Sequence, residues 1–192
     1  LRLDDLCSTL AHPGFQILAE EEGREVVIGA IGKLWHLDIP FVHVADANAF
    51  RDFATPGFVK VAWAICVAPL GDSDSRVTIE VRVDATDNQS WTRFRRYFAM
   101  IGPGSRFIRK SVLASLGTPA SCEESRDLAG DDLLPDAAAQ FTHGVTIAAT
   151  PEAIWPWLVQ MGTGRAGFYS IDALDNHLER SAREVHPELQ RL

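Results

Sequence analysis

Val59-Lys-Val-Ala-Trp-Ala-Ile-Cys-Val67 and, a short turn later, Arg76-Val-Thr-Ile-Glu-Val-Arg-Val-Asp84 decide the fold class. In the second stretch Val77, Ile79, Val81 and Val83 point one way, and Arg76, Thr78, Glu80, Arg82 and Asp84 the other. A strict period of two marks an antiparallel strand with one dry face. The first stretch repeats the pattern with bulky Val59, Val61, Trp63, Ile65 and Val67 alternating with small or polar Lys60, Ala62, Ala64 and Cys66. Between them, Pro69-Leu-Gly-Asp-Ser-Asp-Ser75 carries turn chemistry.

Upstream, Gly14-Phe-Gln-Ile-Leu-Ala-Glu20, the turn Glu21-Glu-Gly23 and the run from Arg24 to Trp35 resemble a hairpin. Downstream the period changes. After Thr86-Asp87-Asn88, apolar side chains recur at Trp91, Phe94, Phe98, Ile101, Ile108, Val112 and Leu116, which predicts an amphipathic helix over about residues 89–116. Gly102-Pro103-Gly104 predicts a kink in it, because proline removes a hydrogen bond and clashes with the preceding turn. Alternation returns over Phe141, His143, Val145, Ile147 and Ala149. Thr150-Pro151-Glu152 then starts a helix through Ile154, Trp155, Leu158 and Val159 to Met161, and a shorter helix is expected around Ser170 to Leu178. Strands followed by a long helix make an α+β protein, with helices on one face of an antiparallel sheet and an apolar wedge between the layers.

The whole chain has 192 residues, 46% hydrophobic and 23% charged, which excludes wholesale disorder and collagen-like repeats. A net charge of −8 argues against general nucleic-acid binding. No apolar run approaches the roughly 20 residues of a membrane span. Cys7, Cys66 and Cys122 are odd in number and far apart, and read as thiols of a reducing compartment. No secretory signal is legible, so a cytoplasmic protein is the default, and the chain reads as a piece of something longer. Residues 117–140 hold Glu123, Glu124, Asp127, Asp131, Asp132 and Asp136 against Arg126 alone, with Pro119 and Pro135. That composition predicts an acidic linker between residues 1–116 and 141–192.

Several motifs resolve to ordinary structure. Gly162-Thr-Gly-Arg-Ala-Gly167 matches a dinucleotide fingerprint but follows a helix instead of a strand, so we read it as a helix-ending glycine turn and expect no nucleotide. His12, His36, His43, His143, His177 and His186 lack metal-ligand spacing, and neither metal nor cofactor is expected. His143 differs from the rest in lying on the apolar side of its strand. Arg93, Arg95, Arg96, Arg106, Arg109 and Lys110 make the long helix basic; a solvated face explains them without an anionic partner. Trp155 and Trp157 flank Pro156 and point apart on a helix, which puts one in the core.

Pro151-Glu-Ala-Ile-Trp-Pro-Trp-Leu-Val-Gln-Met-Gly162, continued by Gly164-Arg-Ala-Gly-Phe-Tyr-Ser-Ile-Asp-Ala-Leu-Asp-Asn176, resembles the opening of START-like proteins of the SRPBCC superfamily, relatives of polyketide cyclases/dehydrases and lipid-transport proteins. Gly23-Arg-Glu-Val-Val-Ile-Gly-Ala-Ile-Gly-Lys-Leu-Trp35, Pro56-Gly-Phe-Val-Lys-Val-Ala-Trp63, Arg93-Phe-Arg-Arg-Tyr97 and Ile101-Gly-Pro103 resemble the later strands and closing helix of such a domain. The resemblance implies a helix-grip fold, a curved antiparallel sheet wrapped around a long C-terminal helix over an apolar cavity. The order is inverted here, later strands first and opening strand last. Three accounts fit: truncated copies in a tandem pair, a permuted domain, or a homodimer that exchanges segments.

The resemblance also implies the ligand class, a small hydrophobic molecule such as a lipid or polyketide, bound or transported. Trp63, Ile65, Ile79, Val81, Phe94 and Phe98 are the expected cavity walls, on the dry strand faces and the helix stripe. A cyclase or dehydratase is the alternative, and His143, Arg165, Tyr169 and Asp172 are the candidates for its acid–base chemistry. A structural domain with a filled interior and no ligand is the third reading.

Overall fold

Alternation builds the sheet, and glycines turn it. The structure, a computed structural model, describes residues 10–11, 13–36, 38–100, 118–120, 131–161, 166 and 180–190. β1 (Gln16–Glu21) and β2 (Glu25–Gly32) pair antiparallel around a turn in which Gly23 has φ +78°, a left-handed conformation that glycine adopts without strain. β3 (Phe41–Val42) lies beside the end of β2. β4 (Val59–Pro69) and β5 (Ser75–Ala85) form the longest hairpin, in register from Val59 opposite Ala85 to Pro69 opposite Ser75, with Gly71 at φ +120° in its turn. β6 (Thr118–Ala120) is short. β7 (Ala139–Ile147) pairs antiparallel with β5 of the same chain, from Ser75 opposite Ile147 to Val83 opposite Ala139. Six strands run in the order β1-β2-β4-β5-β7-β6, giving an α+β protein with a curved, unclosed antiparallel sheet.

Three α-helices and one 3-10 turn (Pro187–Leu189) are described. α1 (Ala47–Asp52) starts at Asp46, whose Oδ1 accepts the Ala49 N–H at 2.8 Å. α2 covers residues 88–100; the rest of the helix expected over 89–116, with the predicted Gly102-Pro103-Gly104 kink, lies outside the described residues. α3 (Pro151–Val159) begins after Thr150 as expected, although the threonine side chain makes no capping bond. The helix expected around 170–178 and all but Ala166 of the 162–167 glycine motif also lie outside the described residues.

Asp87 fastens α2 to the sheet. It accepts the Ser90 N–H and the Ser90 hydroxyl, each at 2.8 Å, and the Gly57 N–H at 2.6 Å, which ties the helix start to the loop entering β4. Hydrogen bonds from the Ser90 backbone, the Ser90 hydroxyl and the Gly57 backbone hold the Asp87 carboxyl down to about 2. A depressed carboxylate stabilises the fold above its unfolded value near 3.8 and loses that contribution as pH falls toward about 2. Asp87→Ala is therefore expected to lower the melting temperature at neutral pH, with the difference from wild type shrinking between pH 4 and pH 2 in a thermal-melt series. An unchanged melting temperature at pH 7 contradicts the capping role.

The sheet is covered on both faces, which corrects the expectation of a single dry one. On the bulky face of β4, Val59, Val61, Val81 and Val83 pack against Phe94 of α2, and Val67, Val77 and Val145 pack against Ile154, Trp155 and Val159 of α3. On the other face Ala62, Ala64 and Cys66 lie under Phe50 of α1 together with Leu133 and Leu134. The small side chains read as a solvent face are small because a second layer lies on them. Glu80, expected outward, is only 5% exposed. It is hydrogen-bonded by Arg82 Nε at 2.6 Å, Gln140 Nε2 at 2.8 Å and the Thr142 hydroxyl at 2.9 Å. Arg82 in turn pairs with Asp131 and donates to the Leu134 carbonyl at 3.1 Å. Within the acidic 117–140 stretch, two leucines and one aspartate are thus anchored to the sheet.

At the C-terminal end, fully buried Gln160 donates to the Glu184 carbonyl at 3.0 Å and accepts the His186 N–H at 2.9 Å, which holds residues 184–186 against the end of α3.

Candidate functional site

Cross-strand register sorts the bulky face of the sheet into rows. Ile28, Trp63, Val81 and Phe141 stand in one row across β2, β4, β5 and β7; Val26, Ile65, Ile79 and His143 stand in the next. The flanking rows are occupied by helices: Val61 and Val83 belong to the α2 cluster, and Val67, Val77 and Val145 to the α3 cluster. Residues 61 and 67 are separated by six residues of strand, about 20 Å. The clusters also take in part of the rows between them: Val26 and Ile28 are buried in the α3 cluster with Ile65 packed against it, and Val81 is buried in the α2 cluster. We call the strip between the clusters, where Trp63 is exposed and Ile79, Phe141 and His143 are half-buried, the trough.

Trp63 marks the trough. It sits at the middle of β4, a strand with paired neighbours on both sides, yet it is 37% exposed while Ala62 and Ala64 beside it are buried. Its ring lies 5.7 Å from Phe15, and Phe15 lies 5.6 Å from Phe41, so three aromatic rings line the β1–β3 side. On the opposite side Phe98 of α2 contacts Phe141 at 5.8 Å and stacks on Phe94 at 5.6 Å. Phe94 and Phe98 are four residues apart on α2 and so share one helix face.

All six expected wall residues lie on this side of the sheet or on the helix face above it. Their roles differ. Val81 and Phe94 are buried in the α2 cluster, Ile65 packs against the α3 cluster, and Ile79 and Phe98 are half-buried. Trp63 alone of the six is exposed. Of the acid–base candidates, His143 is half-buried on this face opposite Ile79; Arg165, Tyr169 and Asp172 lie outside the described residues. Phe15, Phe41 and Phe141 were not among the expected walls. Phe141 could have been found from its odd position beside His143, whereas Phe15 and Phe41 carry no periodic signal.

The Glu80–Arg82 pair is on the far side of the sheet. Burial alone would raise the Glu80 carboxyl, but hydrogen bonds from Arg82, Gln140 and Thr142 and the charge of Arg82 hold it below its ordinary value. A carboxylate kept ionised and enclosed there is a fastening for Leu133 and Leu134, not a proton donor to the trough. Lys60, also on that face, donates to the Arg51 carbonyl at 2.9 Å, and burial lowers its pKa. Among the described residues no helix is long and apolar enough to cross a membrane. Comparison with known proteins returns no match: no family model, no curated protein and no solved structure aligns with the chain.

Proposed function

We propose that the protein binds or carries a small hydrophobic ligand, of lipid or polyketide-like kind, in the trough over Trp63 and Ile79. In this reading the fold is START-like, α2 is the gripping helix, and the sheet is the palm. The observation that supports it most is the exposed Trp63 indole at the centre of an otherwise covered apolar face. An indole buries up to about 250 Å² when covered, a large driving force for an apolar ligand. Binding is favoured over a cyclase or dehydratase because acid–base chemistry needs positioned partners, and on this face His143 of β7 shares its row only with Glu20 of β1, four strands away, among the described strand residues.

The test is a ligand panel of fatty acids, sterols and aromatic polyketides followed by thermal shift and calorimetry. At least one class is expected to raise the melting temperature of wild type. Trp63→Ala is expected to weaken that binding tenfold or more while leaving the chain folded, because the lost ring is partly solvent-facing. No shift with any class, or undiminished affinity in the variant, ends this reading.

A further inference from the structure

We propose that the outward face of α2 docks on an anionic lipid bilayer, with Arg93, Arg95 and Arg96 meeting headgroup phosphates. Residues 88–100 hold these three arginines and no acidic residue, in a chain of net charge −8. Spacing alone reads them as a solvated face; the structure adds where they point. Phe94 is buried in the α2 cluster, Trp91, Tyr97 and Phe98 pack against it, and all three arginines are exposed. The helix is thus laid on the sheet with its charge turned out, beside Met100, an apolar side chain 77% exposed.

The spread of the arginines selects the partner. Successive residues of an α-helix turn by about 100°, so Arg93 and Arg95 point about 160° apart, with Arg96 between them. Three diverging guanidinium groups cannot close on one phosphate, but each can take a separate phosphate of a surface that lies along the helix. Arg93 is steadied at one edge of this fan by the Trp35 ring, 5.9 Å from its centre. Asp87, the acid nearest in sequence, is already engaged by Ser90 and Gly57 at the helix start. A basic side chain near an anionic bilayer is worth about fivefold in partition, and the attraction fades within a Debye length of about 8–10 Å. The local charge of this face therefore governs the contact, not the net charge of the chain. No ligand in the trough is needed for it.

The experiment is co-sedimentation of the full chain with vesicles of phosphatidylcholine alone or with about 30% phosphatidylglycerol. Wild type is expected to partition about tenfold or more in favour of the anionic vesicles, and to lose that preference at about 0.5 M salt. Arg95→Gln/Arg96→Gln is expected to weaken the anionic partition about tenfold or more, with folding checked by circular dichroism. Arg24→Gln/Arg51→Gln removes the same charge from exposed arginines off α2, and is expected to stay within about threefold of wild type. Equal partition on the two kinds of vesicle, or equal losses in the two double variants, overturns the proposal. So does arginine-dependent binding to polyglutamate without binding to vesicles, which would assign the face to an acidic protein. Each of these results leaves ligand binding in the trough to its own test.

Discussion

Arg82→Met is expected to destabilise the fold by about 3 kcal/mol at neutral pH, the cost of leaving a buried carboxylate without its cation. The Glu80 side chain is 6% exposed, so water cannot take over when the guanidinium is gone. The same substitution removes the Asp131 ion pair and the donor to the Leu134 carbonyl, which loosens the segment that inserts Leu133 and Leu134. The sign of the pH dependence follows from the depressed Glu80 carboxyl. Its contribution is complete above the ordinary value of 4.5 and is lost as pH falls through the lower folded value. The gap between wild type and variant is thus widest near pH 7 and narrower at pH 3 in urea unfolding. Adding Glu80→Gln to Arg82→Met removes the stranded charge and is expected to recover part of the loss. A gap that is small at pH 7, or equal at both pH values, contradicts the account.

Phe50→Ala is expected to cost about 3–5 kcal/mol, the range for truncating a buried aromatic side chain. Phe50 is fully buried and is the one large apolar side chain of α1, so it docks the helix by itself. The sheet beneath it is shaped for the ring. Ala62 and Ala64 are small, and a Cβ on Gly29 would collide with Leu18 Cδ1 and lie 3.1 Å from Phe50 Cε2. Lys60 Nζ, 6.0 Å from the ring centre, reaches past it to the last turn of α1. Urea unfolding checks the figure; a loss under 1 kcal/mol would show that α1 is not part of the core. Set beside Trp63→Ala, where stability is expected to change little and binding much, the pair separates the structural face from the ligand face.

What the sequence made legible follows from where periodicity is long. β4 and β5 each carry an unbroken alternation, and the paired register keeps Trp63, Val81, Ile65 and Ile79 on one face. Phe94 and Phe98 joined them through helical spacing. Short elements left no such trace. β3 is two residues, and α1 has a single large apolar side chain, so neither carries a periodic signal. Leu133 and Leu134 were hidden by the acidic residues around them, since composition averaged over 24 residues cannot register two leucines. The burial of Glu80 was illegible for a different reason. Its partners Gln140 and Thr142 come from β7, and only the β5–β7 register brings them to it. Phe15 and Phe41 join the site through tertiary packing of a strand approach and a two-residue strand, which no local pattern encodes.

The indole N–H resonance of Trp63, assigned by its disappearance in Trp63→Phe, gives the most direct test of a ligand trough on this face. Titration of the full chain with a hydrophobic probe such as 1-naphthol is predicted to move that resonance saturably, with Trp35 and Trp91, which are packed against the α2 cluster, moving far less. A Trp63 signal that stays in place while the probe binds, or while it fails to bind at all, would contradict the account.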